Sequence, residues 1–353
     1  MFLVRKLKKI IKLFKEPQGA IYHSLACGYA ILMYILGIAG LFQTNWLINF
    51  LSTISLAHGM TIAAYMIHES GHNTIFRSNE NNAKLGKFLT WICGACYGTF
   101  EDIRYKHFRH HVDNDDVAWF DHTNYFRRHP VFTKLVEILE WFYIPAHDLL
   151  MHFIMVFTSF IISQRRYQRG HNLAAILIRG FIFLAVLYFN TKAAILYATA
   201  YMIMIQILRF MDSLQHDYGY HLTLFSKEDA PLKGNSEYEQ AHTFSNPHTL
   251  KYDCLNWFTL NFGFHNAHHA RPIVPWYRLP ALHRELYGDS LDLVIPLLAQ
   301  LKMFHNFRVE RVVFGEARED STVDTNDAES NFLLAAQQAQ VSGGNAASFL
   351  TSF

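Results

Sequence analysis

Four long apolar stretches constrain the fold of this 353-residue chain more than any other feature of its sequence. A run of about 18 or more apolar residues with few charges predicts a helix that crosses a lipid bilayer. The stretches occupy residues 20–42, 46–67, 173–190 and 193–211. The links within each pair are only two or three residues long, which is enough for a tight turn and nothing larger. The sequence therefore predicts an all-α integral membrane protein whose four transmembrane helices form two hairpins.

The basic residues predict how the spans are oriented in the membrane. The arm before the first span carries six lysines and arginines before its first acidic residue, Glu16. Cytoplasmic segments of membrane proteins are enriched in lysine and arginine, so we place the N-terminus in the cytoplasm. Four crossings then put the C-terminus and both long polar segments there too, as a helical cap. Arg179 and Arg209 lie near cytoplasmic span ends, where we expect their side chains to snorkel to the surface.

Composition divides the chain into three parts. Residues 1–19 form a basic arm, which is either an amphipathic segment on the inner leaflet or a plain topology signal. Residues 20–311 form the membrane domain, and its compact loops favour a bacterial inner membrane. The last part, 312–353, is rich in small and polar residues, a composition that predicts a disordered polar tail. The shorter apolar stretch 88–100 is predicted to be a re-entrant or interfacial segment, and the stretch 131–163 is predicted to form helices along the membrane surface.

Nine of the 21 histidines fall into spacings typical of a metal site. Three clusters are His68-Glu-Ser-Gly-His72, His107-Phe-Arg-His110-His111 and His265-Asn-Ala-His268-His269. Residues i, i+3 and i+4 share one helical face, so we expect each cluster to point its imidazoles at one place. His216 follows Asp212 at the end of the fourth span with the spacing that separates His68 and His72. The predicted topology therefore puts every cluster on the same side of the membrane.

The number of imidazoles indicates which metal chemistry to expect. Imidazole is the commonest metal ligand, and it suits iron, zinc and copper. Nine imidazoles exceed the four ligands of a closed zinc site, and they suffice for two ions with open positions. Two redox-active irons around a gap that binds dioxygen are the chemistry that such a nitrogen-rich set favours.

Two other classes of protein remain open on these residues alone. The segment from His68 through Glu69 to His72 matches HExxH, the zinc metalloprotease pattern in which the glutamate is a general base. A membrane metalloprotease would leave the two HxxHH clusters without a role. A non-catalytic metal- or heme-handling protein would use the histidines for binding only. Nucleic acid is not an expected partner, because the net charge is only +2.

The three histidine clusters and the paired spans together resemble the membrane fatty-acid desaturase superfamily of di-iron proteins. The resemblance covers residues 63–287. In segments 265–272 and 274–280 the chain most resembles bacterial acyl-lipid desaturases, and sphingolipid desaturases and carotenoid ketolases share part of these segments. Histidine at position 265 is unlike the front-end desaturases. The resemblance implies that two irons are bound by His68, His72, His107, His110, His111, His216, His265, His268 and His269. Several relatives carry asparagine where this chain has Asp212, so this carboxylate is either a ligand or an outer partner of His216.

The resemblance also implies an activity and its partners. We expect a dioxygen-dependent desaturase that introduces a double bond into the acyl chain of a membrane lipid or an acyl thioester. Hydroxylation or ketolation of a carotenoid, alkane or sphingolipid is the alternative within the superfamily. Electrons would come from a separate carrier, ferredoxin-like or similar to a b-type cytochrome. A set of arginines is placed either to dock an acidic carrier or to face lipid phosphates, namely Arg127, Arg128, Arg271, Arg278 and Arg284.

Supporting residues are predicted by their nearness in sequence to the clusters. Metal-bound imidazoles usually donate their second N–H to a carboxylate or carbonyl. Candidates for that role are Glu69, Asp113, Asp115, Asp116 and Asp217. His58, Thr61 and Tyr65 share a helical face with His68, and they either line a channel for the acyl chain or make helix-packing contacts. No catalytic residue separate from the metal site is expected.

Overall fold

The computed structural model describes residues 10–218, 222–224, 229–288, 290–291, 293–313 and 328–343. Within these residues the regular structure is helical, and strand pairing is limited to four isolated β-bridges. The helices are α1 (Gly19–Leu41), α2 (Trp46–Gly71), α3 (Asn79–Cys93), α4 (Phe100–Asp113), α5 (His122–Arg128), α6 (Pro130–Trp141), α7 (Ala146–Ile161), α8 (Arg169–Phe189), α9 (Thr191–Asp212), α10 (Ser236–Ala241), α11 (His265–Ala270), α12 (Leu279–Tyr287), α13 (Leu297–Asn306), α14 (Glu310–Val313) and α15 (Ala328–Gln337). Short 3₁₀ helices lie at Ser163–Gln168, Asp253–Thr259 and Trp276–Arg278.

Four helices are long and apolar enough to cross a membrane. They are α1, α2, α8 with the 3₁₀ turn before it, and α9. This confirms the all-α membrane fold predicted from the sequence. Helix α2 continues past the predicted end of its span to Gly71, so that His68 lies within the helix.

The chain forms two compact units. Unit 1 holds the described residues up to Arg104 together with Ile154–Ile205. Unit 2 holds Tyr105–Phe153 together with the described residues from Gln206 onward. Helices α1 to α3, α8 and most of α9 belong to unit 1, and α5, α6 and α10 to α15 belong to unit 2.

In unit 1, helix α2 packs closely against α1. A Cβ atom added to Gly59 would lie 2.8 Å from the Cβ of Met33 and 3.1 Å from the carbonyl oxygen of Ala30. Only glycine therefore permits this approach of the two backbones. Contact through small residues is the usual way in which helices associate inside a membrane, since lipid supplies no hydrophobic driving force between them.

Buried Asn49 holds the two hairpin turns of unit 1 together. Its amide donates to the carbonyls of Gly40 at 2.8 Å, Leu41 at 3.2 Å and Gln43 at 3.0 Å. The ammonium of Lys192, in the second hairpin turn, donates to the side-chain oxygen of Asn49 at 2.8 Å. One side chain thus satisfies carbonyls that the end of α1 leaves without helical partners.

Helix α8 presents its large apolar side chains outward. Phe181, Leu184 and Tyr188 are all exposed. Only 11% of the most apolar part of this helix is buried, against 72% for α2. Such a surface is stable where lipid covers it. Helix α8 is therefore an outer helix of unit 1, and α2 is an inner one.

The N-terminal arm is described from residue 10 onward, and its first nine residues lie outside the described part. The backbone N–H of Lys15 donates to the carbonyl of Ile75 at 2.9 Å, and that of Arg77 donates to Leu13 at 3.0 Å. Phe14 between them is buried. The end of the arm is therefore fixed to the segment that directly follows α2.

The expectation that Arg209 snorkels to the surface is wrong. In unit 2 its guanidinium is 2% exposed, donates to Glu140 at 2.6 Å and also pairs with Asp148. The two carboxylates come from α6 and α7, which are distant in sequence from the end of α9. Arginine keeps its charge when buried and needs such partners. Half-buried Arg179, in unit 1, likewise donates inward, to the carbonyl of Trp91 at 2.8 Å.

Helix α15 lies inside the segment that composition predicts to be a disordered tail. Ala336 is fully buried in a cluster with Leu214 and Phe244, and Phe332 stacks on Phe244 with ring centroids 5.1 Å apart. The few apolar residues of this segment are spaced to face one side of a helix, a pattern that average composition hides. Residues 314–327 and 344–353 of the predicted tail lie outside the described part.

We predict that Ala336→Asp destabilises unit 2. The substitution would bury a carboxylate without a partner, which should lower the free energy of unfolding by at least about 2 kcal/mol. Thermal unfolding in detergent micelles measures the effect as a lower midpoint. Leu334→Asp on the same helix is the control, because Leu334 is 53% exposed and should tolerate the charge. Equal midpoints for the two variants would contradict the packing of α15.

Candidate metal centre

The second histidine cluster lies on α4, a helix with defined ends. The Thr99 hydroxyl accepts from the backbone N–H of Asp102 at 3.2 Å, and the Asp102 carboxylate accepts from the Thr99 hydroxyl at 2.8 Å. This reciprocal bonding caps the N-terminus of the helix. Asn114 takes a left-handed conformation with φ of 55°, which ends the helix. His107, His110 and His111 lie in its C-terminal half.

His216 follows α9 and is held by a short pairing with the segment after α10. The backbone N–H of Asp217 donates to His242 at 3.0 Å, and that of Phe244 donates to Gln215 at 2.8 Å. The ring of Tyr218 stacks on the His216 imidazole, with centroids 4.8 Å apart and an angle of 17°. The imidazole therefore has a fixed position although it belongs to no helix.

The third cluster lies on α11, a helix of six residues. Asn246 connects it to the end of α9: its side chain donates to the carbonyl of Met211 at 2.6 Å, and its backbone N–H donates to Gly263 at 2.7 Å. Ala267, between the histidines, packs in a buried cluster with Leu279 of α12. The third cluster and the His216 segment are thus held by the same buried amide.

Four buried imidazoles of unit 2 meet at one point, and we call them the four-histidine group: His110, His216, His265 and His269. The Nε2 atom of His269 lies 3.0 Å from that of His265, 3.2 Å from that of His216 and 3.3 Å from that of His110. The Nε2 atoms of His265 and His216 are 2.9 Å apart. The second cluster, the His216 segment and the third cluster all contribute to this group.

Acceptors hold the Nδ1 atoms of three members of this group, His110, His216 and His269, from outside. The carboxylate of Asp116 lies 3.2 Å from Nδ1 of both His110 and His216. The carbonyl of Asp115 accepts from His110 at 2.9 Å, and the carboxylate of Glu239 accepts from His269 at 2.7 Å. An imidazole that donates through Nδ1 presents a lone pair at Nε2. Lone pairs of these imidazoles therefore converge, an arrangement that a cation at their centre would stabilise.

The spacing of these nitrogens fits a metal ion. Nitrogens bound to one first-row ion at about 2.1 Å lie roughly 3.0–3.4 Å apart, depending on the geometry. The four Nε2–Nε2 separations given above run from 2.9 to 3.3 Å. The chemistry and the spacing of the donor set therefore both fit such an ion.

A second set of imidazoles in unit 2 is the three-histidine group, His107, His111 and His268. The Nε2 atom of His111 lies 3.2 Å from that of His107 and 3.2 Å from that of His268. His111 also links the two groups, because its ring centroid lies 4.2 Å from that of His269. Unit 2 thus carries two adjacent positions at which imidazole nitrogens converge.

The expectation that each cluster points its imidazoles at one place is wrong for both HxxHH clusters. In each of them residues i and i+4 share a group, while residue i+3 belongs to the other group. Positions i+3 and i+4 differ by about 100° around a helix, so adjacent histidines point to different sides. Each helix therefore contributes ligands to both positions.

Glu239 is a site residue that sequence reasoning did not find. Its carboxylate lies 2.7 Å from Nδ1 of His269 and 3.8 Å from Nδ1 of His111. It comes from α10, a six-residue helix that no histidine spacing marks. Only the tertiary fold brings it to the clusters, so the sequence carried no signal for it.

Burial and neighbouring charges set the protonation of the group. Burial and the surrounding imidazoles hold the pKa of His269 well below its usual range. Burial favours the neutral form of Asp116, yet the imidazoles of His216 and His110 hold its pKa well below the usual range. Burial raises the pKa of Glu239 to about 7 against the effect of His110. Burial lowers the pKa of His110, but the hydrogen bond and charge of Asp116 outweigh burial and raise it. The low pKa of His269 favours the neutral imidazole that a metal requires.

The first cluster lies at the C-terminal end of α2 in unit 1. His68 and His72 are both buried, and their ring centroids are 4.7 Å apart. The Glu69 carboxylate lies 3.9 Å from Nδ1 of His68 and accepts from the Thr74 hydroxyl at 2.6 Å. Its position beside Nδ1 is that of an outer partner.

Among the other carboxylates, Asp116 is placed as an outer partner and the rest make different contacts. Asp113 pairs with Arg109 and lies 3.8 Å from the ammonium of Lys233. Burial raises the pKa of Asp217 to about 6, with an opposing effect from His242. Buried Asp212 is close enough to act on Lys106, whose pKa burial lowers to about 7. Its part in metal binding stays a prediction.

The residues predicted to line a channel make helix contacts in unit 1. The His58 imidazole bonds to the Tyr29 hydroxyl at 2.6 Å, which joins α1 to α2. The Thr61 hydroxyl donates to the Ala57 carbonyl at 2.9 Å within α2, and Tyr65 is buried. These are the packing contacts that the alternative expects, and a channel role stays a prediction.

The sequence model of the fatty acid desaturase family matches residues 44–298. This is more than half of the chain, which therefore belongs to the fatty acid desaturase family. Every histidine cluster lies within the match, whereas α15 lies beyond it. No curated protein and no solved structure matched the chain. Family membership and the four apolar helices make it a membrane protein, an oxidoreductase that acts on fatty acids.

We predict that Gly263→Ala disturbs the third cluster. A Cβ atom there would lie 2.8 Å from the carbonyl oxygen of Asn246, a backbone atom that cannot move aside cheaply. The shift should displace α11 and lower both the thermal midpoint and the amount of metal bound per chain. The control is Gly170→Ala, because a Cβ at Gly170 meets nothing within 4 Å. Unchanged metal binding in Gly263→Ala would count against this packing.

Proposed function

We propose that the protein is a dioxygen-dependent di-iron desaturase that introduces a double bond into a fatty-acyl chain. One observation carries the proposal: four buried imidazoles converge through Nε2 while outer acceptors hold His110, His216 and His269 at Nδ1. A second, adjacent group of imidazoles in the same unit supports a pair of metal ions. Membership of the fatty acid desaturase family supports a metal-dependent reaction on an acyl substrate, and we propose that the metal is iron.

The ligand set is proposed to be the nine clustered histidines. The four-histidine group would hold one iron. The three-histidine group would hold the second iron, completed by His68 and His72, as the three-cluster pattern of the family implies. When bound, the pair of irons supplies dioxygen activation, since imidazole-rich open coordination suits redox-active iron. Asp116, Glu239 and Glu69 would keep the imidazoles neutral and oriented.

The proposed reaction needs a source of electrons outside the chain. Dioxygen accepts four electrons and four protons on its way to two waters. Loss of two hydrogens from neighbouring methylenes supplies two of each, the remaining two electrons come from a carrier, and the remaining two protons come from solvent. We propose a ferredoxin-like or b-type-cytochrome-like donor. Exposed Arg271 and Arg284, which pair with Glu285 at 2.8 Å and Asp253 at 2.7 Å, lie on the surface proposed for docking.

The substrate is proposed to be an acyl lipid or acyl thioester that reaches the site from the membrane. The proposed topology keeps both termini and the histidine clusters on the cytoplasmic side of a bacterial inner membrane, as the basic arm favours. The metalloprotease hypothesis gains no support, because the chain belongs to an oxidoreductase family and Glu69 bonds to Thr74.

The reaction is tested by expressing the chain in a host poor in unsaturated lipids and analysing the extracted lipids by mass spectrometry. We expect acyl chains that have lost two hydrogens. Acyl chains or carotenoids that have gained oxygen would indicate the hydroxylase or ketolase alternative. Unchanged lipids, in a host that supplies both types of electron carrier, would contradict the proposal.

We predict that His110→Ala lowers activity by at least about 100-fold. The substitution removes one of four converging ligands and leaves the Asp115 carbonyl and the Asp116 carboxylate without their contact to this imidazole. Lipid composition and iron per purified chain measure the effect. The control is His129→Ala, because exposed His129 bonds only locally, to the carbonyl of Tyr125 at 2.8 Å. Iron analysis of the unmodified chain should give two ions per chain. One zinc instead would overturn the di-iron assignment.

A further inference from the structure

Glu239 lies close to one imidazole of each histidine group. Its Oε1 atom lies 2.7 Å from Nδ1 of His269, in the four-histidine group. The same atom lies 3.8 Å from Nδ1 of His111, in the three-histidine group. The Glu239 carboxylate therefore lies near the outer nitrogen, Nδ1, of one histidine in each group.

The geometry of Asp116 is different, although it too contacts two imidazoles. Its Oδ1 atom lies 3.2 Å from Nδ1 of His110 and 3.2 Å from Nδ1 of His216. Both of these imidazoles belong to the four-histidine group. Asp116 can therefore be compared with Glu239, because the two imidazoles beside its Oδ1 atom belong to the same group.

The backbone of Glu239 is held in place by hydrogen bonds. Its carbonyl accepts from the Thr243 hydroxyl at 2.6 Å, and its N–H donates to the Asn235 carbonyl at 3.0 Å. The side chain of Asn235 caps α10 by accepting from Tyr238 at 3.0 Å. Asn114, which ends the helix of the second cluster, donates to the Asn235 carbonyl at 2.9 Å. Helix α10 is therefore fixed to the helix whose histidines it supports.

We propose that Glu239 is a positioning residue shared by both metal positions. It accepts from His269 and so fixes the orientation of that ligand, and its charge, 3.8 Å from Nδ1 of His111, increases the basicity of the second imidazole as well. A residue that orients a metal ligand from outside changes metal affinity about 10–100-fold when it is lost. Loss of Glu239 should therefore weaken two ions at once, whereas loss of Asp116 should weaken one. This inference depends on the proposed pair of metal ions.

The experiment measures metal binding rather than turnover. The full-length chain in detergent is stripped with a chelator and equilibrated with increasing free Co²⁺, with bound metal counted and the visible absorption of bound cobalt recorded. We expect two ions per unmodified chain. Glu239→Gln should lower the affinity of both ions about 10–100-fold. Asp116→Asn should lower the affinity of one ion and leave the other near its original value.

The matched control is Glu237→Gln, on the same helix and exposed, which should bind cobalt like the unmodified chain. If Glu239→Gln fails to fold, Glu239→Asp replaces it, because the shorter side chain keeps the charge and withdraws it from both imidazoles. If the folded Glu239→Gln variant binds both ions with unchanged affinity, or binds only one of them more weakly, the shared role is overturned. The di-metal proposal then remains intact. An unmodified chain that binds no cobalt or iron overturns both.

Discussion

The converging imidazoles are the constraint on which the rest of unit 2 depends. Four imidazoles are buried, and Nε2 atoms of the group lie about one hydrogen-bond length apart, while acceptors on the far side fix the tautomer of several of the rings. Such lone pairs repel one another unless a cation lies between them. Asn114 at the end of α4, the pairing beside His216 and the amide of Asn246 hold ligands in place.

Much of this architecture could be predicted from sequence because it rests on local patterns. A transmembrane helix is specified by its own length and composition, so the four spans are visible without any knowledge of their neighbours. The spacing of a histidine cluster is likewise a property of a few consecutive residues. The position of His216 followed from its i+4 spacing at the end of a span, and the structure places it beside the third cluster.

The features that sequence reasoning missed depend on contacts between distant parts of the chain. Arg209 is buried because α6 and α7 bring carboxylates from more than 60 positions earlier. Glu239 reaches His269 across 30 positions. The spacing within one helix separates the directions of adjacent histidines, but which group each histidine joins depends on how the two helices face each other. Average composition also failed to predict α15, because a few apolar side chains on one face of this helix are enough to pack it against the rest of unit 2.

The packing of α15 has a consequence for biosynthesis. Leu214 and Phe244, which flank the His216 segment, bury themselves against Ala336. A ribosome adds about 5–20 residues per second, so the 120 residues between His216 and Ala336 (336 minus 216) take roughly 6–24 s to appear. During that interval the segment that carries His216 lacks its packing against Ala336. The His216 segment therefore reaches its full packing only after residue 336 has been synthesised.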